Sequence, residues 1–238
     1  MSDAPYRLPL FPLPLVLFPG AAVPLHIFEP RYRRMLADVQ AGDGRFGIVL
    51  AGAGAPAAGL VGCVAHVRDV RPLPDGRSTL VVDGGARFAV VRLVDADRPY
   101  AVAEVVPYAD RPDADPLGGD LRAGAERVRA LIARVARAAA ALADEDAPPP
   151  DLPADPAEVA FAAAAMVDFD VADRQRVLAS RSPAERLALV EAMLARGVGG
   201  VEERARVHTN ARGNGHGPHG PPSGGDPPGG DPPGSAAA

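Results

Sequence analysis

Apolar and polar positions change period twice along this chain. Over residues 6–108 they alternate in short runs, as on half-buried strands, with one early interruption by a helical period. Over residues 117–198 they recur at three- and four-residue spacing, the mark of amphipathic helices. Beyond about residue 206, Gly, Pro, Asn, His and Asp dominate and no period survives. Such a stretch cannot bury enough apolar surface to offset its own ordering entropy, so residues 206–238 read as a disordered tail.

The first regime resolves further. Residues 61–70 read as a strand and 78–82 as its partner, joined through Pro74-Asp75-Gly76, where proline presets φ and glycine accepts a positive one. Gly84-Gly85 reads as a second reversal before a strand at 88–94, and 100–107 reads as another. The interrupting helix is placed at 30–40. Pro30 suits its first position, Tyr32, Met35, Leu36 and Val39 form its apolar face, and Gly42 ends it.

In the second regime Val128, Leu131, Ile132 and Val135 share one helix face, and Pro148-Pro149-Pro150 breaks the chain. Asp155-Pro156-Ala157-Glu158 and Ser182-Pro183-Ala184-Glu185 are twin helix starts, with a short helix at 173–179 between them. The last helix is expected to close at Gly197. Short strands with frequent turns, then about four helices, give an α+β chain: a small β-barrel or folded sheet followed by a helical bundle.

Composition narrows the chemistry. The 238 residues are 47% hydrophobic and 23% charged with a formal charge of −5, which argues against a dedicated nucleic-acid binder. There is no lysine, which removes the phosphate-gripping residue of a P-loop, the base of a Ser–Lys dyad and the nucleophile of a Schiff-base enzyme. One cysteine, Cys63 in an apolar setting, excludes an internal disulfide and a cysteine-cluster metal site. The uncharged run at 8–25 matches a membrane span in length, but Pro9, Pro12, Pro14, Pro19 and Pro24 interrupt it, and it follows no basic n-region. A cytoplasmic location is expected.

Leu8-Pro9-Leu10-Phe11-Pro12-Leu13, then Val16-Leu17-Phe18-Pro19-Gly20 and Pro24-Leu25-His26-Ile27-Phe28-Glu29-Pro30-Arg31-Tyr32, resemble the opening of Lon protease N-terminal domains. Residues 62–67, Leu73-Pro74-Asp75-Gly76-Arg77, Gly85-Ala86-Arg87-Phe88 and 100–107 continue the likeness in order. So do 152–156, Arg174-Gln175 and Glu185-Arg186-Leu187 in the helical half. The resemblance covers about residues 6–197. It implies a PUA-like β-barrel subdomain over 1–110, a helical bundle over 117–200, and binding of unfolded or tagged polypeptide. Lon itself continues into an ATPase and a Ser–Lys peptidase, whereas this chain runs into its tail; it reads as a free-standing member without either.

The expected function is therefore non-catalytic: recognition of exposed apolar polypeptide segments in the cleft between barrel and bundle. Leu25, Ile27, Phe28 and Tyr32, at the base of that cleft, are the nominated contacts. Phe18, Pro19, Gly20, Phe28 and Pro30 are read first as a barrel corner and its docked helix, and His26 as structural. His208, His216 and His219 lack ligand spacing, so no metal and no cofactor is expected. The expected partners are unfolded or partly folded polypeptide, and a protease or chaperone that receives it, with neither membrane nor nucleic acid. RNA binding through Arg127, Arg129, Arg134 and Arg137, or a scaffold role, is the alternative.

Overall fold

The structure, a computed structural model, describes residues 4–94, 96–111, 121–145, 148 and 150–213. In chain order it contains β1 (Tyr6–Leu13), β2 (Ala22–Ile27), α1 (Pro30–Ala41), β3 (Arg45–Leu50), β4 (Val61–Pro72), β5 (Ser78–Val94) and β6 (Val102–Pro107). The helices α2 (Leu121–Ala143), α3 (Pro156–Met166), α4 (Val171–Ala179) and α5 (Pro183–Gly213) follow. This is an α+β arrangement, one mixed six-stranded sheet with five helices.

The strands β1, β3, β4, β5 and β6 pair in a ring. β1 lies parallel to β3 and the other neighbours are antiparallel, with β6 returning to both β5 and β1. Alternation sends Leu8, Leu10, Val49, Val64, Val90, Ala103 and Val105 to the inside, where they surround Phe88. Space for that ring comes from two glycines. A Cβ on Gly47 would stand 2.6 Å from Cζ of Phe88, and one on Gly62 2.5 Å from it. The opposite face of the same strands carries Phe11, Phe46, Ile48, Val61 and Cys63. These belong to a larger core that continues through α1 and on into the helical half without a break.

Local chemistry accounts for most boundaries. All four residues of the expected α1 face are buried, and Gly42 closes the helix with its N–H on the Val39 carbonyl. Gly76, at φ +78°, makes the β4–β5 turn, and Asp75 accepts from the Arg77 N–H at 3.0 Å. Asp155 caps α3 through the Ala157 N–H at 2.9 Å, and Asp170 caps α4 through Ala172 at 2.8 Å.

Two expectations are corrected. Gly84-Gly85 is not a reversal, because β5 runs straight through it. It is where β5 exchanges partners: residues 78–83 pair with β2, residues 88–94 with β6. The glycines are needed because the Phe18 carbonyl oxygen would lie 2.0 Å from a Cβ on Gly84, and Gly84 exchanges backbone hydrogen bonds with Gly20 and Ala21, both 2.8 Å. The last helix does not stop at Gly197, nor does irregular chain begin at 206, since α5 continues to Gly213. It runs beside α2 in the same direction, with Arg127 on Glu191, Arg134 on Glu202 and His208 on Asp144, while Val198 and Ala205 are buried. Packing and ion pairs thus carry Gly197, Gly199 and Gly200 in a helix that propensity alone would end. The expected tail beyond 213 lies outside the described residues.

The ring interior gives a stability test. Phe88→Ala should destabilise the fold by about 3–5 kcal/mol through the cavity it leaves, and Gly62→Ala by about 1–3 kcal/mol through overpacking against Phe88. Urea unfolding midpoints measure both; a neutral Gly62→Ala would show that the ring has slack.

Candidate functional site

Two adjoining cavities form a groove between the sheet and α3. One, of about 410 Å³, has walls from Ala21 and Ala22 at the start of β2 and from Phe161, Ala162, Ala165 and Met166 on α3. The other, of about 330 Å³, continues towards Tyr108, Asp110, Arg87 and Arg186. Pro19, Glu158 and Phe161 line both. The lining of the first cavity is predominantly apolar, and Met166 on its rim is half exposed.

The elements that hold this groove are fixed by arginines. Arg87 on β5 and Arg186 on α5 are both buried, their side chains 5% and 1% exposed, and both bind the half-buried Asp110 that follows β6. Arg186 grips it as a fork, Nη1 to Oδ1 at 2.5 Å and Nη2 to Oδ2 at 2.8 Å. Further guanidinium N–H groups donate to carbonyls: Arg87 to Leu178 and Ser180, Arg186 to Ser180 and to Ala157 at the start of α3. Both guanidiniums lie against the Phe161 ring, at 5.2 Å for Arg87 and 4.2 Å for Arg186. The floor of the groove is thus an aromatic ring backed by two cations. Burial raises the Asp110 carboxyl, but Arg186 and Arg87 together outweigh it and hold the group below the usual carboxylate range.

Neighbouring segments are secured in the same way. Arg174 reaches the Val167 and Val16 carbonyls and covers the Phe18 ring, and Gln175 donates to the Val61 carbonyl at 3.0 Å, joining α4 to the strands. Arg129 donates to the carbonyls of Leu152 and Pro153, which steadies the segment at the mouth of the groove.

The residues nominated from the sequence lie elsewhere. Leu25, Ile27 and Tyr32 are core side chains, 8%, 1% and 6% exposed, because β2 alternates them inward and Tyr32 packs on Phe11 with ring centroids 4.3 Å apart. Phe28 is 58% exposed and stacks on His26, the rings 5.8 Å apart. None of the four lines either groove cavity. The actual wall on α3 was missed. Its signal was present in Val159–Met166, a helix apolar on every side, which must be covered from several directions at once. For Arg186 the signal was an arginine one turn ahead of Val190 and two ahead of Leu194 on the apolar stripe of α5; Arg87 lies off the buried alternation of β5, and nothing in the local pattern marks it.

Other candidate chemistry is engaged structurally. Of the arginine ridge, Arg127 and Arg134 pair with Glu191 and Glu202, and Arg129 with Glu126, so the ridge is largely neutralised. Cys63 is buried with Sγ 3.3 Å from the Gly85 carbonyl, and burial pushes its pKa up to about 12, so it stays a thiol near neutral pH. His208 pairs with Asp144; His216 and His219 lie outside the described residues. Among the described residues no group of His, Cys, Asp and Glu could hold a metal, and no helix is long and apolar enough to cross a membrane.

Comparison with known proteins gives a consistent picture. Residues 7–196 match the model of the ATP-dependent protease La (LON) substrate-binding domain. The chain is 29% identical over 207 residues to Lon protease 2 of Myxococcus xanthus and, equally, to the Lon protease of Anaeromyxobacter dehalogenans. Each alignment covers 82% of this chain but 24% of the relative, so the chain spans about a quarter of the length of these proteins. Among solved structures, a Lon N-terminal domain protein from Xanthomonas campestris is similar at TM-score 0.54 and 29% identity, over 79% of this chain and 98% of that one. The N-terminal domain of a Mycobacterium avium complex Lon protease shares the fold at TM-score 0.59 and 18% identity, over 80% and 98%.

The buried arginine pair should make stability acid-sensitive. Asp110 has a depressed folded-state pKa, so its contribution is complete above the unfolded value of about 4 and is lost as pH falls through the folded one. Asp110→Asn should lose stability at neutral pH, towards the low end of the about 3–5 kcal/mol for a broken buried pair because a third of the side chain is exposed. Below about pH 4 the difference from wild type should shrink. Denaturant titrations at pH 7 and pH 3 measure this; a difference independent of pH would assign the loss to packing.

Proposed function

Because the chain belongs to the LON substrate-binding domain family, we propose that the groove between the sheet and α3 receives exposed apolar segments of unfolded polypeptide, as a binding module without chemistry of its own. The observation that carries this reading is the apolar wall of Phe161, Ala162, Ala165 and Met166 facing Pro19, Ala21 and Ala22 across about 410 Å³. A concave apolar channel accommodates side chains of an extended segment, and its burial supplies the affinity. Strand addition is the less favoured mode. The open edge of the sheet is β2, and Pro24 in its middle removes a backbone donor that an added strand would use.

Phe28, exposed beside β2, is proposed as an accessory contact, while Leu25, Ile27 and Tyr32 support it from the core. The partner is a polypeptide that has lost its fold, and a protease or chaperone is the proposed recipient. The pairing of Arg127, Arg129 and Arg134 with acids speaks against RNA as the ligand.

Fluorescence anisotropy with one labelled client, chemically unfolded and folded, tests the reading. The unfolded form should bind with micromolar affinity, about −8 kcal/mol, and with little dependence on salt. Ala162→Gln should weaken that binding about tenfold by filling the groove with a polar side chain, while Phe28→Ser should cost about two- to threefold. Equal affinity for the folded client, or loss of binding on RNase treatment, would overturn the proposal.

A further inference from the structure

The charged side chains lining the first cavity, Asp151 and Glu158, are both acidic. Glu158 stands where the two cavities meet, flanked by Asp151 on one side and Asp155 on the other. Asp155 is occupied in capping α3. Glu158, three residues further on, is at the position that closes a reciprocal capping box, yet among the described residues its carboxylate has neither a hydrogen-bond nor an ion-pair partner. The cations that line the groove, Arg87 and Arg186, are bound to Asp110 and to three carbonyls, so neither is free to turn towards it.

We propose that the groove selects polypeptide segments in which an arginine or lysine stands next to an apolar side chain, and that Glu158 reads the cation. The inference rests on the polypeptide-binding reading above and adds to it a substrate class. The apolar side chain enters between α3 and Ala21-Ala22, and the neighbouring guanidinium or ammonium meets Glu158 at the junction. Charge complementarity favours this occupant over an acidic segment, which would bring like charge against Asp151 and Glu158. Glu158 is exposed at the edge of the apolar walls, so its attraction for a cation is that of a surface ion pair, modest and weakened by salt.

The test uses the full chain and two labelled unstructured peptides of equal apolar content, one carrying two arginines and the other two glutamines in their place. The readout is the affinity ratio between them. Wild type should prefer the arginine peptide by about three- to fivefold, the range of a partly exposed ion pair, and the preference should shrink as salt rises. Glu158→Gln should bring the ratio close to one and Glu158→Lys should invert it, an outcome that loss of folding cannot produce. A wild-type ratio of one, or a ratio untouched by Glu158→Gln, overturns the inference while the groove reading survives, provided both peptides bind and Ala162→Gln weakens both. Failure of both peptides to bind wild type overturns the polypeptide-binding reading itself.

Discussion

The architecture depends on one buried contact, the grip of Arg87 and Arg186 on Asp110 against the Phe161 ring. Its members come from β5, from the segment after β6, from α3 and from α5, and among the described residues no other polar contact gathers so many elements. Two guanidiniums and one carboxylate would be costly to bury alone. Here seven hydrogen bonds, four to backbone carbonyls and three to Asp110, offset that cost, with Nε of Arg186 left over. Apolar packing is tolerant of small slides between layers, whereas a forked ion pair accepts one geometry. The contact therefore sets where α3 stands relative to the sheet, and with it the width of the groove.

How far this was legible in the chain differs by element. The α1 face, the Pro74–Gly76 turn and the Asp155 cap follow from local chemistry and stand in the structure as read. Gly84-Gly85 misled because glycine serves equally a turn and a close approach of another segment, and only tertiary placement of Phe18 distinguishes them. The length of α5 was hidden for a related reason: its glycine-rich middle is held by α2, a partner some sixty residues earlier in sequence, as in Arg127 with Glu191. The site was the least legible part. An aromatic, apolar opening motif draws attention to residues 25–32, yet Leu25, Ile27 and Tyr32 build the core, and the exposed Phe28 lines neither cavity. The groove instead uses small and flexible residues, Ala162, Ala165 and Met166, that look unremarkable one at a time.

The division of labour between the two cores bears on function. Inside the ring, Phe88 is enclosed by strands on all sides and has no route to solvent. The larger core runs from α1 across the sheet into α2, α3 and α5, and the groove opens along its margin, at Phe161. A ligand seated there would extend an existing hydrophobic core instead of creating a new one, which keeps the reorganisation required of the protein small.

Helix α5 has its root at this same place. Arg186 sits in its first turn, and the helix then runs 31 residues, about 46 Å at 1.5 Å per residue, braced along α2. A rod anchored at one end multiplies angle into distance, so a tilt of about 5° at the Arg186 end would carry the far end through about 4 Å. Any tilt of α5 at the groove would in this way show most widely at Gly213, and the ion pairs to α2 limit how far it can go.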